Sequence, residues 1–331
     1  MRDVAVLAGV GLKTVSRVMN GVSTVDPELA RRVRAGADKL GYRPNLAASN
    51  LRRSGGRTGT IGLLVEDVGN PFSAALHRAV EEVARSRDVF LLTGSLNEDA
   101  ERERHITRTL IDRRADGLII VPSASDYRWV VAEQEAGTAF VFVDRVPAPL
   151  VADAVLSDSR AGALEGLRHL AAAGHRRIGY LGDDLSIQTA QARYDAYQEA
   201  IAEVGGTVDP ALVRTGLRTV DDAREATLDM LRAAAPTAIF ASQNLVLIGA
   251  VHALHELGRQ HDISLVGFDD LVLADRLVPA ITVIAQDPAA IGRIAAERLF
   301  ARLDGDRSPP AVHTVATRLV LRGSGEIAPA P

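Results

Sequence analysis

Beyond residue 58, short apolar stretches alternate with longer amphipathic segments, and this alternation constrains the fold more than any other feature of the chain. The apolar stretches, such as TIGLLVED and ISLVGFDD, carry hydrophobic residues at consecutive positions instead of at every second one. Strands of this kind are buried on both faces, as in parallel sheets covered by helices. The segments between them are long enough to be the crossover helices that parallel strands need. The pattern therefore predicts a doubly wound α/β body.

The number of apolar stretches predicts two lobes in that body. Nine qualify as strands, which is more than one small sheet holds, so we expect two α/β lobes with a cleft. They are TIGLLVED, VFLLTGS, DGLIIVPS, AFVFVDR, RIGYLGD, VRTG, TAIFAS, ISLVGFDD and VHTVATRLVLRGS. Ligands of such sheets bind beyond the carboxyl ends of the strands, where polar residues follow the apolar stretches. These polar residues are 67–70, Ser123, Asp144, Arg145, Asp183, 242–244, Asp269 and Asp270.

Charge divides the chain into a basic head and an acidic body. Residues 1–57 hold 11 Lys and Arg against 4 Asp and Glu, a net charge of +7. The remaining residues hold 27 against 38, a net charge of −11. This division suits a polyanion as the partner of the head alone, and a solvated basic surface is the alternative.

Composition also excludes several classes of protein. The chain has no cysteine, so disulfides, thiolate zinc sites and cysteine nucleophiles are excluded. No apolar stretch reaches the about 18 residues of a membrane-spanning helix, and no signal peptide is evident. We therefore expect a cytoplasmic protein without membrane contact.

The first 41 residues predict three short helices. DVAVLAG and LKTVSRVMN have apolar residues at helical spacing and are separated by a break at Gly9, which is the arrangement of a helix-turn-helix. A third helix is predicted with Asp26 as its N-cap and Pro27 at its first position, and Gly41 ends it.

The second helix of such a motif lies in the major groove of DNA. We therefore expect Leu12, Lys13 and Arg17 to face base edges, with Thr14 and Ser16 in reach of phosphates. A three-helix interaction module that binds no DNA is the alternative that spacing alone leaves open.

Three segments resemble the head and hinge of the lactose-repressor (LacI/GalR) family of bacterial transcription regulators: DVAVLAGVGLKTVSRVMNG, VRAGADKLGYRPN and NLAASNLRRSGGRTGTIGLLV. The body resembles the family in order, through NPFSAAL, ADGLIIVPS, VFVDR, LAAAGHRRIGYLGD, ISLVGFDD and PAITVIAQDPAAIGRIAAERL. The resemblance implies an N-terminal all-α helix-turn-helix head and a two-lobed, periplasmic-binding-protein-like α/β body with doubly wound parallel sheets.

We accordingly expect a head at 1–43, a hinge at 44–57 and a body at 58–331. Within the body, we expect a first lobe at about 58–158 plus 288–325 and a second lobe at about 159–287.

The resemblance also implies a homodimer that binds pseudopalindromic double-stranded operator DNA. Hinges of the family fold into a short helix on DNA and insert a leucine into the minor groove, and the matching residue is Leu51. The alternative for Leu51 is a core residue that caps the body. Four further residues complete the expected DNA contacts: Asn20, Tyr42, Asn45 and Ala48.

Two positions in the head depart from the family pattern. Gly11 stands where the family usually has a serine that caps the recognition helix. Met1 stands where other members have a few further residues, so the first helix lacks its usual cap. The sequence leaves open whether Met1 is the true first residue.

The family's effector contacts carry over to both lobes. They are Asp67, Asn70, Phe72 and Ser123 in the first lobe, and Arg193, Gln243 and Asp269 in the second. An aspartate and an arginine that face each other across a cleft can bind vicinal hydroxyls, although each residue singly could also be a cap or an ion-pair partner. Arg218 lies near the place where some members stack an aromatic residue on the ligand. A guanidinium there suggests a charged effector such as a sugar phosphate or a sugar acid, and an ordinary surface arginine is the alternative.

Together these features predict a ligand-responsive, sequence-specific transcription regulator that is not an enzyme. We expect a repressor of carbohydrate-utilisation genes that a sugar or sugar-derived inducer releases from DNA. A regulator that responds to a nucleobase or nucleoside corepressor is the alternative, and a solute-binding protein without DNA function is a remote one. We expect no cofactor and no metal, because no glycine-rich phosphate loop opens a helix and His252 with His255 has no third ligand. The sequence leaves open the effector, the sign of its effect, the operator and the choice between dimer and tetramer.

Overall fold

The computed structural model describes residues 1–19, 22, 24–42, 57–124 and 126–329. Contacts within the chain divide it into two compact units, Met1–Thr60 and Ile61–Pro331. Four of the expected DNA contacts, Asn20, Asn45, Ala48 and Leu51, lie outside the described residues, as does the hinge at 44–57 apart from its last residue.

The described part of the first unit contains three helices around one small core. They are α1 (Arg2–Ala8), α2 (Leu12–Met19) and α3 (Pro27–Lys39). Gly9 ends α1 in the left-handed region at φ 61°, which glycine adopts without strain. Asp26 caps α3, where its side chain accepts the N–H groups of Glu28 and Leu29. The predicted helix-turn-helix with a third helix is therefore confirmed.

The second unit contains two mainly parallel sheets with helices on their faces. Its helices are α4 (Pro71–Ser86), α5 (Ala100–Asp112), α6 (Trp129–Glu135), α7 (Ser159–Ala172), α8 (Gln188–Glu203), α9 (Val220–Ala233), α10 (Asn244–Glu256) and α11 (Pro288–Leu303). Its strands are β1 (Thr60–Val65), β2 (Phe90–Ser95), β3 (Gly117–Ile120), β4 (Ala139–Val143), β5 (Asp153–Ser157), β6 (Ile178–Leu181), β7 (Val213–Arg214), β8 (Ala238–Ala241), β9 (Ser264–Phe268), β10 (Thr282–Ala285), β11 (Val312–Val315) and β12 (Arg318–Val320). Short 3-10 helices lie at Pro210–Leu212 and Ser324–Glu326.

Each sheet forms the centre of one lobe. The first has the order β11-β5-β4-β3-β1-β2 and the second the order β12-β10-β9-β8-β6-β7. The apolar stretches fill both cores because their consecutive hydrophobic residues are covered from both faces, as in β1 and β9. The two-lobed, doubly wound α/β body expected from the sequence is confirmed.

The structure corrects the expected lobe boundary near the end of the chain. VHTVATRLVLRGS is two strands instead of one, because β11 ends at Val315 and Ala316 with Thr317 separates it from β12. β11 pairs with β5 in the first lobe, whereas β12 pairs antiparallel with β10 in the second. The assignment of 288–325 to the first lobe is therefore wrong from β12 onward.

Two strands were not expected, β5 and β10. β5 begins with the buried carboxylate of Asp153. β10 has four residues and begins with the buried Thr282. Neither strand therefore forms an uninterrupted apolar stretch in the sequence. In the described part of the chain, no helix is long and apolar enough to cross a membrane.

Candidate functional site

Polar side chains from both lobes meet where the parallel strands end. Glu66 follows β1, Asp144 follows β4, Asp269 follows β9 and Gln286 follows β10. Because the carboxyl ends of parallel strands lie at one edge of each sheet, these side chains converge on a cavity of about 70 Å³. We call it the inner compartment, and its lining also includes Asn70, Phe72, Arg145, Asp183, Ile187, Arg193, Ser242, Gln243 and Asn244.

Asp269 and Arg193 are buried and held in place by neighbours. Gln286 Nε2 donates to Asp269 Oδ1 at 2.5 Å, and burial raises the pKa of Asp269 while the nearby charge of Arg193 lowers it. The Arg193 guanidinium lies 3.8 Å from the ring centre of Phe268, and its Nη1 donates to the backbone oxygen of Ser242 at 2.8 Å. Arg193 Nε and Gln286 Oε1 are buried without a hydrogen-bond partner among the described residues. A donor and an acceptor are thus available to a polar ligand.

The inner compartment is acidic. Four carboxylates line it, those of Glu66, Asp144, Asp183 and Asp269, against the two guanidiniums of Arg145 and Arg193. The pKa of Glu66 is raised to about 7, first by burial and then by the negative charges of Glu98, Asp183 and Asp144, while the positive charge of Arg145 lowers it. Burial likewise raises the pKa of Asp183. Hydroxyl groups, which donate hydrogen bonds to carboxylates without adding negative charge, suit such a lining.

Side-chain amides join the two lobes at two places. Asn244 Nδ2 donates to Asn70 Oδ1 at 2.7 Å, and Asn70 Nδ2 donates to Asn244 Oδ1 at 3.3 Å. Gln188 accepts the N–H of Val146 at 3.0 Å and donates to its carbonyl at 2.9 Å. These four hydrogen bonds favour an arrangement in which the lobes are close together.

A second cavity of about 250 Å³ adjoins the first, and we call it the outer compartment. Its lining includes Glu98, Ser123, Arg145, Asp184, Ser186, Ile187, Gln188 and Arg218. Arg145 is held by two hydrogen bonds to Glu98, at 2.6 and 2.5 Å. Glu103 lies beneath Ser123 and accepts its backbone N–H at 2.6 Å, which fixes this part of the wall.

Seven of the eight predicted effector residues line these two compartments. The inner one contains Asn70, Phe72, Arg193, Gln243 and Asp269, and the outer one contains Ser123 and Arg218. Asp67 lines neither, because its side chain is exposed and turns back to accept the N–H of Gly69 at 2.9 Å. Glu66, one residue earlier in the chain, lines the inner compartment.

Sequence reasoning missed Glu66, Gln286 and the interlobe amide Gln188. Glu66 directly follows the apolar residues of β1, and that position was a signal for it. Gln286 follows β10, which was not recognised as a strand. Gln188 opens α8 and reaches backbone 42 residues away, a contact for which the sequence offers no signal.

In the head, α2 exposes the side chains expected to read DNA. Leu12, Lys13 and Arg17 are exposed, while Val15 and Val18 are buried on the opposite side of the helix. Arg17 Nη2 donates to Thr24 Oγ1 at 2.7 Å, which orients its guanidinium.

Other head residues are partly buried or lie at the start of a helix. Thr14 and Ser16 are half-buried, and Tyr42 packs partly against the core of the head. Gly11 begins α2 without a side-chain cap, and its carbonyl accepts the N–H groups of Thr14 and Val15. Met1 precedes α1 without a side-chain cap, as expected.

Two surfaces of the body expose large apolar side chains. In the first lobe, Phe90 is 77% exposed on the edge strand β2. In the second lobe, Val272 is 89% exposed and Val278 70% exposed, in the segment between β9 and β10. Among the described residues, no group of His, Asp and Glu could hold a metal ion.

Comparisons with known proteins agree with these features. Residues 1–45 match the family model of bacterial regulatory proteins of the lacI family, and residues 167–325 match that of a periplasmic binding protein-like domain. The chain is 32% identical to the HTH-type transcriptional regulator GalS of Salmonella typhimurium, over 98% of this chain and 96% of GalS. It is 30% identical to the ribose operon repressor of Haemophilus influenzae, over 98% of both chains. The crystal structure of the lac repressor dimer bound to operator and the anti-inducer ONPF is similar, with a TM-score of 0.82 and 26% identity over 98% of both chains.

Proposed function

We propose, from the premise that the chain belongs to the LacI family of bacterial regulatory proteins, that it represses carbohydrate-utilisation genes and leaves its operator when a sugar or sugar-derived inducer binds. The family membership makes the chain a DNA-binding transcription regulator and not an enzyme. Relatives named for galactose-type regulators and for a ribose operon repressor support the carbohydrate class of effector. We place the protein in the bacterial cytoplasm, where its DNA target lies.

One observation carries this proposal: the cleft combines buried carboxylates with buried polar atoms that have no partner among the described residues. Asp269 and Arg193 both line it, and Arg193 Nε and Gln286 Oε1 lack partners among the described residues. A ligand with several neighbouring hydroxyls can donate to the carboxylate and accept from the guanidinium at once. Among the described residues that line this compartment, Phe72 and Ile187 are the only apolar side chains larger than alanine, which favours a polyol over a flat nucleobase.

The hydrogen bonds between the lobes support a coupling between the effector and DNA. The amide pair of Asn70 and Asn244 spans the lobes next to the inner compartment, so a ligand there changes the free energy of lobe closure. A ligand that binds the closed and open arrangements differently shifts their populations. Such coupling typically amounts to about 1–3 kcal/mol, or about 5- to 150-fold in affinity.

The DNA contacts belong to the proposal residue by residue. Leu12, Lys13 and Arg17 are assigned to base edges, and Thr14 and Ser16 to phosphates, which their positions on α2 support. Tyr42 supports the head and reaches DNA only with its exposed part. The assignments of Asn20, Asn45, Ala48 and Leu51 rest on the family resemblance.

The functional unit in the proposal is a homodimer, because two heads match the two halves of a pseudopalindromic operator. The exposed Phe90 of the first lobe and the exposed Val272 and Val278 of the second supply apolar surface for a second copy of the chain. The division into a head at 1–43, a hinge at 44–57 and a body from 58 onward is part of the same proposal.

Selection of DNA from a randomised duplex library by the purified full-length protein tests this function. We expect a pseudopalindromic consensus, and we expect Lys13→Ala to relax the base preference at one position in each half-site. Lys39→Ala, at the end of α3, is the matched control and should change salt dependence at most. Recovery of no consensus, or a protein that is monomeric at micromolar concentration, contradicts the proposal.

A further inference from the structure

The two compartments of the cleft differ in charge. The inner one has four carboxylates against two guanidiniums, so it repels a further anion. In the outer one, Glu98 is neutralised by its two hydrogen bonds to Arg145, and Asp184 accepts the backbone N–H of Ser186 at 2.8 Å.

Arg218 is the cation of the outer compartment that remains for a ligand. Within the described ranges of the chain it makes no ion pair and no hydrogen bond, although its charge lowers the pKa of Asp183 and of Asp184, and it is exposed at the cavity wall. Ser123 lines the same cavity, and its Oγ is buried without a hydrogen-bond partner. A guanidinium and a hydroxyl in one cavity are suitable donors for a group with several acceptor oxygens.

The sizes of the compartments indicate that they act together. Pockets for small ligands usually have about 300–1,000 Å³, which neither cavity of about 70 Å³ or about 250 Å³ reaches alone. Arg145 and Ile187 line both cavities, so the two cavities are adjacent and share these side chains in their walls. One ligand that extends through both would occupy a pocket of ordinary size.

We propose that the effector has two chemically different ends: a hydroxyl-rich part in the inner compartment and an anionic group in the outer compartment, bound by Arg218 and Ser123. This inference rests on the proposed function and specifies the effector as a sugar acid or a sugar phosphate. The anionic end is a carboxylate or a phosphate, which share the acceptor oxygens that a guanidinium binds. The ligand has one orientation, because the carboxylates of Glu66, Asp144, Asp183 and Asp269 exclude the anionic end from the inner compartment.

Calorimetric titration of the full-length protein with matched ligands tests the inference. The probes are glucose, gluconate and glucose 6-phosphate, the same three forms of galactose, and ribose with ribonate and ribose 5-phosphate, all at one ionic strength. Acetate and inorganic phosphate serve as probes of the anionic end alone. We expect one acid or one phosphate to bind at least about tenfold more tightly than its neutral parent, and the two free anions to bind no more tightly than that parent.

Arg218→Gln should remove this preference, with a loss of about ten- to a hundredfold for the anionic ligand and no change for its neutral parent. Arg218 is exposed, so the variant should fold. Arg232→Gln is the control, because Arg232 is an exposed arginine of α9 that pairs with Asp229 and lines neither compartment. It should leave both affinities unchanged.

The outcomes separate the inference from the proposed function. The inference is overturned if a neutral sugar binds as tightly as its acid and its phosphate, and if its binding is abolished by Asp269→Asn and unchanged by Arg218→Gln. That result leaves the proposed function standing. Binding of inorganic phosphate as tight as that of the sugar phosphate also overturns it, because the inner compartment would then contribute nothing. If no sugar, acid or phosphate of the panel binds the wild-type protein, both are wrong.

Discussion

Replacing Glu66 by glutamine should stabilise the body above pH 7 and change its stability little at pH 4.5. Burial is the largest cause that raises the pKa of Glu66, from 4.5 to about 7, and the charges of Glu98, Asp183 and Asp144 act in the same direction. The folded body therefore retains a proton at Glu66 that the unfolded chain releases above about pH 4.5. Folding stability falls as the pH rises from 4.5 to 7, and above 7 the loss is complete.

The size of the effect follows from the two pKa values. Each pH unit between 4.5 and about 7 contributes about 1.4 kcal/mol, so ionised Glu66 destabilises the body by about 3 kcal/mol above pH 7. Glutamine has nearly the same shape and carries no charge, so Glu66→Gln should recover most of this amount at pH 8. At pH 4.5 the gain should be below about 0.5 kcal/mol.

Urea unfolding of wild type and variant at pH 4.5, 6 and 8 measures the difference. Glu135→Gln is the control, because Glu135 is exposed at the end of α6, and its effect on stability should be small. A gain at pH 8 would show that the buried carboxylate is kept at the expense of stability, as is common for ligand-binding groups. If the effects at pH 4.5 and 8 are equal, or if the variant is less stable at pH 8, then ionised Glu66 does not destabilise the folded body.

Three further changes have defined outcomes. Asp153→Asn should lower the free energy of unfolding by about 3–5 kcal/mol in urea titrations, because Asp153 is fully buried and binds Arg302 through both carboxylate oxygens; a loss below about 1 kcal/mol would contradict this. Gly11→Ser should stabilise the head by about a few tenths of a kcal/mol and tighten DNA binding in anisotropy titrations. An added Cβ meets no atom within 4 Å, and the hydroxyl can cap α2. Weaker DNA binding by the variant would contradict this prediction. Gln188→Ala should weaken effector binding by about 5- to 150-fold through the loss of two interlobe hydrogen bonds, at about 0.5–1.5 kcal/mol each. Gln191→Ala, which removes a bond to Asp195 within the same helix, should leave that affinity unchanged, and equal effects of the two variants would refute the role of the interlobe bonds.

Much of the fold could be predicted from the sequence because its parallel strands are buried on both faces. β1, β3 and β9 carry runs of mostly apolar residues, which are typical of parallel strands covered on both faces. β5 escaped prediction because its first residue, Asp153, is a charged side chain whose burial depends on arginines about 145 positions later. The end of the first lobe was misplaced because β11 and β12 form one apolar run in sequence but pair with different sheets.

The cleft could be predicted in outline, since polar residues that follow parallel strands meet at one edge of the sheet. Its detail depends on local geometry that the sequence does not display. Asp67 forms a turn with Gly69, and Glu66 therefore occupies the cleft. The pairing of Asn70 with Asn244 joins residues 174 positions apart and exists only when the lobes are close.

The most direct test asks whether a ligand in the cleft changes the affinity of the protein for operator DNA. Fluorescence anisotropy measures that affinity with and without saturating ligand. The operator is the duplex recovered from the randomised library, and the ligand is the tightest-binding member of the sugar panel. We predict a change of about 5- to 150-fold that disappears in Asp269→Asn, whose inner compartment lacks the buried carboxylate. An operator affinity that stays the same while calorimetry shows the cleft to be full would contradict the account of a ligand-responsive regulator.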